Sequence, residues 1–361
     1  IVGCKETLTE ADLPQESELC QNTFEPHRAP SAGTSSHGGH GGHGGHDGHP
    51  ATETQEKLGL PELLSETGLY TDIQSKKVHE AMLEYKPRFQ LWSDGAEKQR
   101  WVYLPECDSI DTSDINDWKL PVGARLFKEF SLDNKRLETR LVERVGTGPY
   151  DFLFASYLWN EGETEAIKVS EEGLENVHGT QHDIPSEANC RRCHGSHSKG
   201  GGLPSRALGF SALQLAHENT PLTLDMLVER NQLTHTPIKM PSIPGDTLTQ
   251  NALGYLHANC GNCHNPSKDN IAHLNLNLWL ETNHATLEET GAYKTAVGID
   301  NEVFNDQHVE KRIVKGKPNT SSVFYRMHQR GNRGQMPPIG SEIMDVDGAN
   351  LVKTWIEELQ E

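Results

Sequence analysis

Thr247-Leu248-Thr249-Gln250-Asn251-Ala252-Leu253-Gly254-Tyr255-Leu256-His257-Ala258-Asn259 runs straight into Cys260-Gly261-Asn262-Cys263-His264. Leu248, Ala252, Tyr255, Leu256 and Asn259 recur on one side at helical spacing, so a helix is expected over about 246–260. At its end stand two thiols separated by two residues, with a histidine directly after. Two thiols so spaced reach the vinyl groups along one edge of a porphyrin, and the adjacent imidazole then lies under the iron. This is the anchoring pattern of a c-type haem. The chain carries it twice, the other copy being Cys190-Arg191-Arg192-Cys193-His194.

Further along stands Gln335-Met336-Pro337-Pro338, then a stretch over about 347–360 with Leu351, Trp355, Ile356 and Leu359 on one helical face. Met336 is the expected sixth ligand of the second haem, since a thioether favours ferrous iron and the prolines stiffen its loop. Helix, motif, methionine loop and terminal helix follow the order of a small class I cytochrome c domain, which residues 246–361 resemble. Asp347 is expected to cap the last helix. Around the first motif the signals are weaker. Pro185 precludes a long entering helix. Met240, also followed by proline, is the matching sixth-ligand candidate, with Met226, His182, His197, His217 and His235 as rivals. Each proximal imidazole should give its other ring nitrogen to a carbonyl; backbone near Pro266 suits His264, and nothing marks the partner of His194. A zinc site built from the two cysteine pairs is the competing reading, but it leaves His194, His264 and Met336 without a role.

Upstream the character changes. Residues 86–170 read as short strands: Arg88–Trp92, Arg100–Leu104, Arg125–Phe130, Arg136–Glu143, Phe152–Trp159 and Ala166–Val169. Arg136, Glu138 and Arg140 alternate with Leu137, Thr139 and Leu141, as in a half-buried strand. Trp92, Trp101, Trp118 and Trp159 promise an aromatic core. Weak helical patterns precede them at about 57–66 and 73–85, and others follow at Ala212–Glu218 and Thr223–Leu233. The expected fold is α+β: a tail over 1–55, an antiparallel β-rich domain over 56–170, and a mainly helical diheme region. That region divides into a first haem segment, 171–245, and a second, 246–361.

The tail holds His37, His40, His43, His46 and His49 in a Gly-rich run. It reads as a flexible linker, as a copper, nickel or zinc site, or as an axial-histidine donor. Cys4 sits in Ile1-Val2-Gly3-Cys4, like a lipobox, and a lipid anchor there would leave Cys20 and Cys107 to pair. A Cys4–Cys20 bond with Cys107 free, or a bond between molecules, is the other arithmetic. The 361-residue chain has 33 basic and 52 acidic side chains, a formal charge of -19. Such a field argues against nucleic acid and anionic membrane surfaces, and suits a basic redox partner. No stretch approaches the length of a spanning helix. No nucleotide fingerprint, serine-nucleophile elbow or metalloprotease motif appears.

The chain resembles a family of exported bacterial diheme c-type cytochromes over roughly residues 60–361. The likeness rests on Leu91-Trp92-Ser93-Asp94-Gly95-Ala96-Glu97-Lys98, Pro121-Val122-Gly123, Arg136-Leu137-Glu138-Thr139-Arg140-Leu141 and Ile184-Pro185-Ser186. It continues through Asn259-Cys260-Gly261-Asn262-Cys263-His264, Gln335-Met336-Pro337-Pro338 and Trp355-Ile356. It implies two covalently bound haems, electron transfer, and a periplasmic or cell-surface location; the His/Gly run departs from the family pattern. A haem enzyme with an open first iron, and a subunit of an extracellular cytochrome filament, are the alternatives carried forward.

Overall fold

The structure, a computed structural model, describes residues 59–195, 206–237, 239–266 and 274–359. Cys4, Cys20, His197 and the histidines from His37 to His49 lie outside the described residues. The architecture is α+β, with antiparallel sheets followed by short helices. Strands β1 (Tyr70–Asp72) and β2 (Lys77–Val78) form a small antiparallel pair. A six-stranded meander follows: β3 (Leu83–Glu84), β4 (Glu97–Tyr103), β5 (Arg125–Leu132), β6 (Lys135–Arg144), β7 (Phe152–Trp159) and β8 (Ala166–Lys168). Each strand pairs antiparallel with the next. Asp133 and Asn134 both take positive φ between β5 and β6, the two-residue turn whose twist suits a hairpin.

Period-two alternation gives the sheet two different faces. Trp101, Phe127 and Leu141 stand in register across β4, β5 and β6 and pack with Tyr157 and Trp159 on one face. On the other, Val102, Leu126, Val142 and Phe154 align across four strands. They meet Phe210, Leu215, Leu222 and Leu227 from downstream of the first motif. Glu138 and Arg140 therefore face protein, where the strand pattern suggested solvent.

Among the described residues the α-helices are α1 (Glu187–His194), α2 (Ala212–Leu215), α3 (Leu224–Glu229), α4 (Thr247–Leu256), α5 (Gly291–Ala296), α6 (Ser322–Met327) and α7 (Val346–Glu358). In the C-terminal core, Leu253 and Leu256 of α4 pack with Val352, Trp355 and Ile356 of α7. Gly348 permits this approach, since a Cβ there would lie 2.2 Å from the Tyr255 ring.

Several local expectations change. Residues 88–92 form no strand, because their backbone groups bond elsewhere: Arg88 and Phe89 donate to Gln214, and Trp92 to Asn259. The helix expected over 73–85 is replaced by β2 and β3, whose strand pairing overrides a weak helical pattern. In the described part of 57–66 only a 3-10 turn forms, Leu64–Thr67, stopped by Gly68 at φ 82°. The terminal helix is capped by Asp345, which accepts from the Gly348 N–H at 2.9 Å; Asp347 lies in the first turn. Cys107 is disulfide-bonded, which overturns the arithmetic that left it free; its partner lies outside the described residues.

Candidate functional site

Short, capped helices hold both motifs. Ser186 Oγ accepts from Asn189 N–H at 3.2 Å and opens α1, which carries Cys190, Cys193 and His194. His194 Nδ1 lies 3.0 Å from the Arg206 carbonyl. A carbonyl only accepts, so Nδ1 holds the ring proton and Nε2 keeps its lone pair. Burial pushes the His194 pKa down to about 4, with the Lys128, Arg140 and Arg206 charges adding to it. A neutral ring with Nε2 free is the form that binds a metal.

Asp246 caps α4 by accepting from Thr249 N–H at 2.9 Å. The helix then widens into a π-type turn over His257–Gly261, a distortion that recurs at functional sites. His264 follows, and its pKa also falls to about 4 through burial, then the Arg326 and Arg312 charges. Its Nδ1 is buried without a hydrogen-bond partner. The carbonyl expected near Pro266 is thus not engaged, and the carbonyl contact is found at His194. A buried unpaired nitrogen costs on the order of 1–3 kcal/mol, and binding through Nε2 would leave that Nδ1 still to be satisfied.

Although 70 residues separate them in sequence, the two motifs meet. The Cys193 and Cys263 thiols act on each other, which lowers the Cys263 pKa and raises that of Cys193. Cys263 Sγ also lies 3.8 Å from the Arg192 carbonyl. All four motif cysteines are free thiols. Among the described residues no three or more His, Cys, Asp or Glu gather to hold a metal ion, so a four-cysteine zinc site is not assembled.

A cavity of about 590 Å³ opens beside the junction. Its wall includes Cys190, Cys193, His194, Cys263, His257 and Trp279, facing sheet residues from β4 to β7. Free thiols, a neutral imidazole and an apolar wall with Leu126, Val142 and Phe154 form a donor set and a lining that fit a haem.

Met336 sits half-buried in a braced loop. Its N–H donates to the Arg326 carbonyl at 3.1 Å, Gln335 Nε2 donates to Ser341, and Ser341 Oγ donates to the Pro337 carbonyl. Arg326 thus contacts the methionine loop while its charge acts on His264. Met240 is 47% exposed and does not line the cavity. Of its rivals, Met226 packs in the core against the sheet, and His217 bonds to the Lys86 carbonyl. His182 lines the cavity, but its Nε2 is 2.9 Å from Glu138.

Sequence reasoning missed His257. Leu280 N–H donates to its Nδ1 at 3.1 Å, so the ring proton is on Nε2. This imidazole is a donor within the cavity wall and is poorly suited to bind metal through Nε2. Its position in a π-type turn has no sequence signature. The loop Leu91–Gly95 also acquires a role. Trp92 N–H donates to Asn259 Oδ1 at 2.8 Å, Trp92 Nε1–H to the Ile343 carbonyl at 2.9 Å, and Ile343 N–H to Asp94 Oδ1 at 2.7 Å. The loop ties the sheet to the second motif and to the segment after Met336.

No family model, curated protein or solved structure matches the chain. No helix among the described residues is long and apolar enough to cross a membrane.

Proposed function

We propose that this chain is a diheme c-type cytochrome that passes electrons between redox partners outside the cytoplasm. Cys190, Cys193 and His194 would hold one haem; Cys260, Cys263, His264 and Met336 would hold the other. A haem c supplies a one-electron ferric/ferrous couple. The protein's part is to anchor, orient and screen. Arg206 fixes the His194 tautomer through its carbonyl, the braced 335–341 loop presents Met336, and the sheet covers the first site.

The observation that carries the reading is the juxtaposition of the two motifs: Cys263 Sγ lies 3.8 Å from the Arg192 carbonyl, and Cys190, Cys193 and Cys263 line one cavity. Two anchoring motifs far apart in sequence are brought together at their second thiols, as a relay between two centres requires. The charge of -19 suits a basic protein partner. Spectroscopic redox titration of the exported protein should resolve two one-electron transitions, with one lost in Cys190→Ser/Cys193→Ser. A single transition, or none, would refute the assignment.

A haem enzyme is the second reading, favoured by the cavity wall beside His194, which holds the His257 donor and no methionine. The carrier reading expects both reduced haems to ignore carbon monoxide; a haem that binds it supports the enzyme.

A further inference from the structure

The cavity wall contains charges that the proposed function does not use. Arg100, Lys128 and Arg140 stand side by side on β4, β5 and β6, with Arg100 opposite Lys128 and Lys128 opposite Arg140. Ser156 of β7 continues the row opposite Arg140. All four line the cavity. In a chain with far more acids than bases, three cations in register on an interior face need a counter-charge.

The protein supplies one carboxylate. Glu138 is fully buried and takes Arg140 at both oxygens, Nε at 2.6 Å and Nη2 at 2.8 Å, while His182 Nε2 meets it at 2.9 Å. Arg140 is thereby paired. Arg100 is buried, and its guanidinium bonds only to the neutral Gln90 side chain, at 3.3 Å. Lys128 has its ammonium 4.7 Å above the Phe130 ring. Burial, then Arg100, Arg140 and Lys98, drive the Lys128 pKa far down, and Glu138 is the acid opposing them. The wall's other acids are Asp94, Glu172, Glu175, Asp183 and Glu342; Asp94, Asp183 and Glu175 act on Glu342, and none of the five is among the charges that act most on Lys128 or Arg100.

Position along the row narrows the counter-charge. Arg140 acts on the Cys190 and Cys193 thiols, so its end lies by the anchoring cysteines. Neighbouring strands are about 4.8 Å apart, so Arg100 lies roughly 10 Å farther across the sheet. A porphyrin tethered through its vinyl edge at the thiols extends toward that end, with two carboxylates on its far side.

We propose that Arg100 and Lys128 bind the propionate carboxylates of the haem anchored at Cys190 and Cys193. The inference rests on the haem reading of that motif. The row neutralises the propionates in a dry site, orients the ring against Val142 and Phe154, and raises the potential of the first haem relative to one with exposed propionates. Removing a buried cation favours the ferric form, which carries one more positive charge than the ferrous form.

Redox titration of Lys128→Met and Arg100→Leu tests this, with intact mass confirming both haems. The potential of the first haem should fall by about tenfold in its oxidised-to-reduced ratio, about 59 mV for one electron, while that of the second stays put. Lys128→Arg should restore the value. Unchanged potentials with both haems in place would overturn the proposal. The same carboxylate-binding chemistry could serve a soluble oxyanion. In that case, added inorganic phosphate would shift the wild-type potential, and the variants would differ only in losing that shift, which also overturns the proposal. Should the neutral variants fail to mature, resonance Raman spectra of wild type and Lys128→Arg decide. A displaced propionate bending band supports the contact, and coincident bands contradict it. Absence of covalent haem from the wild type would instead sink the underlying haem reading.

Discussion

Glu138 is the residue on which the interior charges turn. Burial works to raise its pKa, but Arg140 and His182 overcome this and hold it at about 2, below the ordinary 4.5. A carboxyl depressed on folding contributes stability in full above about pH 4.5 and loses it as pH falls toward 2. Glu138→Gln should cost on the order of 3 kcal/mol at pH 7 and flatten the acid dependence below pH 4.5, measured by denaturant unfolding of the haem-loaded protein. An unchanged acid limb would contradict the pairing. The alternation of Arg136, Glu138 and Arg140 was legible in the sequence, but a bulge beside Phe130 and Ser131 turns Arg136 to the other face, where it meets Glu129 and the Trp159 ring. The covering of Glu138 and Arg140 was not legible, because it comes from residues 171–215 and the second motif. His257 was hidden for a similar reason: its tautomer depends on Leu280 N–H, a partner that only folding brings near.

At the scale of elements, α4 and α7 cross where Gly348 meets Tyr255. In an ordinary exposed helix, Gly→Ala gains up to about 1 kcal/mol. Here the added Cβ would strike an aromatic ring, and overpacking costs about 1–3 kcal/mol, so the clash should win. Gly348→Ala is expected to lower the melting temperature; a rise would show that the ring yields freely. The sequence announced both helices because they are amphipathic and capped by aspartates. Capping at Asp345 two residues before the expected Asp347 is a small displacement, set by which carboxylate reaches Gly348 N–H. The 73–85 region failed as a helix because its weak periodicity competed with strand pairing to β1 and β4. Arg88–Trp92 failed as a strand because Gln214 and Asn259 claim its N–H groups. The second arises from partners remote in sequence, the first from neighbouring strands whose pairing outweighs local periodicity.

Across the whole molecule, the sheet is a wall for one anchoring motif, and the loop at Leu91–Gly95 ties it to the other. Residues from both motifs and from β4 to β7 close one cavity. The motifs themselves were plain in the sequence because their Cys-x-x-Cys-His spacing is local. Their meeting at Cys193 and Cys263 was not, since it is a product of tertiary packing. The central claim is that each motif carries one covalent haem. Intact mass spectrometry of the protein matured in an oxidising compartment tests it most directly. The account predicts a chain bearing two haem adducts, reduced to one by Cys260→Ser/Cys263→Ser and to one by Cys190→Ser/Cys193→Ser. An unmodified chain, or one whose mass reveals a retained zinc ion in place of haem, would contradict it.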